Sequence, residues 1–200
     1  MPTPKETTKP SPKMRRGFKS EAEKTAIRYH AELGIAAHSP LPAAKLAEHL
    51  GVKVITPTDI PGIPDDLLNL LLVGPGKDKW SAAIFIKSDK KHIIHNPTHS
   101  SARQESNLMH ELAHASCEHT LCELESALAG LTIPLRKYDH EQEAEAEYLG
   151  GCLQLPQKAL YHYHHNLKKS VDEIAIEFNA SKQMVNFRLR MSGVLKMNRR

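Results

Sequence analysis

His110-Glu111-Leu112-Ala113-His114 is the stretch that most restricts what this chain can become. On an α-helix, residues four apart lie on one face, so His110 and His114 can turn both imidazoles toward a single ion while Glu111, one step round, reaches water beside it. Such a pair needs a third protein ligand, with a fourth position left open. A histidine six residues beyond His114 would complete the set, but that position is Thr120, and the glycine expected between them is Cys117. The third ligand must therefore come from a separate element packed against the motif helix.

The acidic stretch EQEAEAEYLGGCLQL, residues 141–155, is the source that remains. Glu143 and Glu147 lie one helical turn apart. Gly150 and Gly151 continue their face, and a missing side chain there lets a neighbouring helix approach. Glu143 is thus the candidate third ligand, and Glu147 the candidate acceptor for the outer N–H of a ligating histidine. Four carboxylates at alternate positions cannot all face one site, so Glu141 and Glu145 are expected to be solvated. The expected ion is Zn2+, bound by His110, His114 and Glu143. Glu111 is the candidate catalytic base that takes a proton from water. Donors for a developing oxyanion are sought among His119, His140, Tyr148 and His162 to His165, and the sequence does not choose among them.

Around this pair the sequence predicts helices over residues 20–33 and 41–50, closed by Gly34 and Gly51, and a short strand over Val52 to Ile55. Residues 57–79 give no definite form. Ala82 to Ile86 and His92 to His95 read as a hairpin, with Asn96-Pro97 breaking the second strand. The motif helix begins at Ser100 or Ser101, another helix is expected near 121–130, and two short helices follow, Val171 to Phe178 and Lys182 to Arg190. Ser170 and Glu173 have the spacing of a capping box.

With HELAH, the downstream residues Glu143, Ala146, Leu153 and Pro156, and the segments AAKLAEHLGVKV, IIHNPTHSSARQ and SVDEIAIEFNASKQMVNFRLRMSGV, the chain resembles the ImmA/IrrE family of metallopeptidases over residues 20–195. The resemblance implies an α+β fold, a zincin-like core with a small antiparallel sheet and a C-terminal helix-turn-helix-like segment. It implies a zinc-dependent endopeptidase whose protein substrate is a helix-turn-helix repressor. The chain departs from the family's pattern at Glu147, where Asn is common, at Leu149-Gly150-Gly151 in place of Phe-Ala-Ala, at Ala113 in place of Gly, and near Ser106, where an aromatic residue is common. Two other classes stand beside it: a non-catalytic regulator that binds a repressor or DNA, and an antirepressor partner in a two-gene module. A binding-only protein has no use for a carboxylate at Glu111.

Three domains are expected: a disordered basic tail over 1–19, a metallopeptidase domain over 20–166 and a helix-turn-helix-like segment with a basic end over 167–200. Charge follows this division, with +5 on residues 1–19, +6 on residues 182–200 and −7 between them. Basic ends admit contact with nucleic acid, but for the C-terminal pair, contact with substrate or packing on the core ranks above DNA. No apolar run approaches the roughly 18 residues a membrane span needs, and no apolar segment follows the first basic residues, so a soluble, cytoplasmic protein is expected. Three cysteines in no disulfide pattern agree with a reducing compartment.

Overall fold

Two helices stop at glycines that only a left-handed backbone can use. The computed structural model describes residues 13–123 and 139–197. Helix α1, Phe18–Glu32, buries Phe18, Ala22, Ala26 and Tyr29 at helical spacing. It ends as Gly34 N–H bonds the Ala31 carbonyl at 3.1 Å and Ile35 N–H bonds His30 at 2.8 Å. Helix α2, Ala43–His49, closes in the same way through Gly51 and Val52. With φ of +66° at Gly34 and +64° at Gly51, both positions are ones a Cβ would strain. Phe18 and Lys19 were expected in the tail but begin α1, because the Phe18 ring is buried at 1% exposure.

The strands are β1, Lys53–Ile55, β2, Ala82–Lys87, β3, Lys90–His95, and β4, Cys122–Glu123, in the order β1-β3-β2-β4. Among the described residues only β2 and β3 are antiparallel; β1 runs parallel to β3 and β4 parallel to β2. The α+β class holds, but the sheet is mixed rather than antiparallel. The hairpin turn is also tighter than expected, since Ser88 and Asp89 take φ of 47° and 57° and the strands pair up to Lys87 and Lys90. Such two-residue turns usually advertise themselves with Gly or Asn, which this one lacks. Asn96 ends β3 fully buried: its amide N–H groups reach the carbonyls of Lys77 and Trp80, and its Oδ1 accepts from the N–H and hydroxyl of Thr98. The segment left undefined by sequence contains helix α3, Asp65–Leu72, with Leu67 and Leu70 exposed.

Helix α4, Ser101–Ser116, carries HELAH across one face of the sheet, and α5, His140–Gln154, covers its other side while α1 covers α5. Sandwiched this way, α4 is buried nearly all round, with Met109, Leu112, Ala113 and His114 at 0% exposure. A second apolar cluster joins α6, Gln157–Tyr161, to α7, Val171–Glu177, and α8, Lys182–Met191, through Leu160, Ile174, Phe178, Val185 and Leu189. It takes in Leu155, just before Pro156 separates α5 from α6. The capping box of α7 is formed as read from the sequence, with Ser170 and Glu173 each bonding the other's backbone N–H. The helix expected near 121–130 lies mostly outside the described residues, and its start is β4 instead. No helix among the described residues is long and apolar enough to cross a membrane.

Candidate metal centre

Helical spacing puts His110 and His114 on the same side of α4, and their Nε2 atoms stand 3.1 Å apart. From α5, Glu143 brings Oε2 to 3.4 Å from His110 Nε2 and Oε1 to 3.7 Å from His114 Nε2. An ion with ligand bonds of 2.0–2.1 Å in tetrahedral geometry separates its donor atoms by about 3.3 Å. The observed separations are of that size, though the two from Glu143 end on different oxygens; one oxygen of Glu143 lies within 4.8 Å of both nitrogens, which places the three side chains to hold a small tetrahedral cation. This is the group of metal-capable side chains that the described residues bring together.

The two histidines differ in access. His114 is wholly buried, whereas the His110 side chain is 32% exposed and that of Glu143 22%. Among the described residues one side of the cluster is thus open and the other closed. Glu111, at 8% exposure, reaches the sheet, where Ile84 N–H of β2 donates to its Oε2 at 3.0 Å. That amide is on the β4 side of β2, beyond the two residues where β4 pairs. The candidate base is therefore held by a strand of the sheet that α4 crosses.

The close approach of α5 to α4 rests on Gly150, as its place on the Glu143 face suggested. A Cβ there would meet the His110 Cα and N at 3.1 Å. Gly151 faces another way, against the stem of Arg188.

Glu147 and Glu145 exchange the places expected of them. Glu147 is exposed, while Glu145 is 5% exposed, with Oε2 at 3.5 Å from His119 Nε2. His119 Nδ1 is in turn 2.8 Å from His114 Nδ1. Glu147 therefore does not serve as the histidine's outer acceptor. The reason is that α5 packs against both α1 and α4, so more than one of its faces is inward. His119 reaches back because Glu118 adopts φ of 54° and closes α4 with His119 N–H on the His114 carbonyl at 3.1 Å. A glycine at 118 would have advertised this turn; glutamate does not.

Tyr148 is buried beside Arg188, whose guanidinium carbon lies 5.3 Å from the ring centroid. His140 is exposed at the start of α5, and Glu141 beside it is exposed as expected. His162 to His165 form a π-helical turn in which His165 bonds the Val194 carbonyl and His162 packs on His38. Burial pushes the Cys117 thiol up to about 11 and that of Cys152 higher still, in keeping with thiols that serve the core.

In fold, the chain resembles a Mycobacterium tuberculosis transcriptional regulator with a TM-score of 0.56 and 17% identity, over 90% of this chain and 48% of that one. It spans about half the length of that regulator. None of the curated proteins matches its sequence significantly. The family model described as an IrrE N-terminal-like domain matches residues 47–190, which hold the sheet, the HELAH helix, Glu143 and most of the C-terminal helices. Over the larger part of its length, the chain therefore belongs to the IrrE N-terminal-like peptidase family.

Proposed function

We propose that the protein is a zinc-dependent endopeptidase that cuts a helix-turn-helix transcriptional repressor. The closed triangle of His110 Nε2, His114 Nε2 and Glu143 carboxylate oxygens, with Glu111 one step away on α4, is the observation that carries this reading. His110, His114 and Glu143 would hold the ion, which would supply Lewis acidity toward a peptide carbonyl and toward water. The Glu111 carboxylate, oriented by Ile84 N–H, takes a proton from water and delivers it to the leaving amine nitrogen. Among the described residues β4 pairs β2 only at Phe85 and Ile86, and the edge of β2 before them would orient an extended segment by backbone pairing. The resemblance to the ImmA/IrrE family supports a repressor as substrate, and α8, with Lys182, Gln183, Asn186 and Arg190 exposed, offers a second contact for it.

The test is incubation of purified protein and of Glu111→Gln with a co-encoded helix-turn-helix repressor. Wild type should carry about one zinc and cut the repressor at one site; Glu111→Gln should keep the zinc and leave the repressor whole, because an amide cannot accept the proton. Equal cleavage by both would remove Glu111 from the chemistry. Tight repressor binding without cleavage by either would establish a binding regulator instead.

A further inference from the structure

Glu145 is a buried carboxylate whose two oxygens are committed in different directions. Oε1 accepts from the backbone N–H of Arg15 at 3.1 Å and from its Nε at 3.2 Å. Oε2 lies 3.5 Å from His119 Nε2, an electrostatic contact longer than a hydrogen bond. His119 Nδ1 meets His114 Nδ1 at 2.8 Å, so one of these two nitrogens must donate and the other accept. A carboxylate beside His119 Nε2 decides which. In the neutral His119 ring it favours the proton on that nitrogen, leaving Nδ1 as a lone pair. His114 must then donate from Nδ1, and its Nε2 turns an unprotonated lone pair toward His110 and Glu143. With the opposite arrangement, a lone pair on His119 Nε2 would face the carboxylate and His114 Nε2 would carry a proton where a ligand bond is needed.

We propose that Arg15, Glu145 and His119 are positioning residues that fix the tautomer and ring orientation of His114, making the segment before α1 part of the metal centre's support. This rests on the zinc reading above and goes beyond it. The order of action runs from a residue 130 positions away in sequence, through Glu145, to a ligand on another helix. Arg15 itself is held by Glu21, at 2.7 Å from its Nη2, and by its guanidinium lying 4.9 Å from the Phe18 ring centroid. Its backbone N–H survives any side-chain change, so its side chain should matter less than Glu145 or His119.

The experiment measures zinc affinity of the full chain by competition with a chromophoric chelator, for wild type, Glu145→Gln, His119→Ala, His119→Asn, Arg15→Ala and Glu147→Gln. Loss of such outer partners typically weakens metal binding about 10- to 100-fold, the drop expected for Glu145→Gln and His119→Ala. Arg15→Ala should cost a few-fold and Glu147→Gln nothing measurable. His119→Asn puts an acceptor oxygen near the Nδ1 position, so it should recover most of the affinity, and adding Glu145→Gln to it should have no further effect. Proton–nitrogen correlation NMR of the zinc-loaded protein should show His114 protonated at Nδ1 and His119 at Nε2. Wild type that binds zinc while Glu145→Gln and Glu147→Gln match it would overturn the relay, as would affinity losses in every variant, His119→Asn included, that merely follow lower thermal midpoints of the metal-free proteins. Failure of wild type to bind zinc would overturn the metal reading itself.

Discussion

Gly150 of α5 lies directly against His110 of α4: a Cβ added there would stand 3.1 Å from the His110 Cα and N and from the Met109 carbonyl oxygen. All three are helix backbone atoms, which cannot swing aside as a side-chain end can. The distance between α4 and α5 is set here, and with it the reach of Glu143 to the two histidines.

Gly150→Ala therefore sets two effects in opposition. Alanine favours the helix by about 1 kcal/mol over glycine, while overpacking a tight interface costs typically about 1–3 kcal/mol. The interface should win. The expected result is a lower thermal midpoint together with weaker zinc binding, seen by calorimetry and chelator competition. A raised midpoint with unchanged affinity would show that α4 and α5 have room to spare.

Arg188 and Glu23 predict an asymmetry. Arg188 is wholly buried in α8, its Nη2 is 2.5 Å from Glu23 Oε1 of α1, and its Nε donates to the Leu155 carbonyl. Removing one member of a buried pair costs about 3–5 kcal/mol when the charge left behind stays buried. Glu23→Ala leaves such a guanidinium. Arg188→Met leaves Glu23, whose side chain is 18% exposed and can reach water, and fills the same space with apolar atoms. Urea denaturation should show Glu23→Ala as the more damaging change; the reverse order would mean that packing by the Arg188 stem outweighs its charge.

Glu173 predicts an acid-sensitive contribution at α7. The Lys169 side chain at 2.6 Å, then the Ser170 backbone N–H and hydroxyl, hold the Glu173 carboxyl down at about 2. A carboxyl that is more acidic in the folded state contributes stability that is whole above its ordinary value near 4.5 and fades as pH falls toward 2. Glu173→Gln should lower the urea midpoint at pH 7 and narrow the difference from wild type between pH 4.5 and 2. Parallel curves across that range would exclude the linkage.

The exposed face of α8 tests substrate recognition. Lys182, Gln183, Asn186 and Arg190 are all exposed there, while Val185, Arg188 and Leu189 face inward. Removing residues 170–200 would open the second apolar cluster, so surface changes are the cleaner probe. Lys182→Glu with Arg190→Glu should slow repressor cleavage by roughly tenfold while zinc content and thermal midpoint stay put, since charges at a contact's rim act mainly on association. Unchanged cleavage would return this helix pair to a packing role.

The sequence by itself determined the local features. HELAH could place its two histidines together on a helix, Gly34 and Gly51 could end helices, Ser170 and Glu173 could cap one, and Glu143 with Gly150 could form a face that approaches the motif, because each depends on neighbours within a turn or two. Tertiary structure decided what depends on distant partners. A helical-wheel argument assumes one buried face, and it chose Glu147; α5 is enclosed from several sides, so Glu145 is the carboxylate drawn inward, between Arg15 and His119. The parallel pairing of β1 and β4 and the return of His119 onto His114 likewise carry no local signature. They follow from which surfaces must be covered once the helices and the sheet pack, and no short window of residues contains that information.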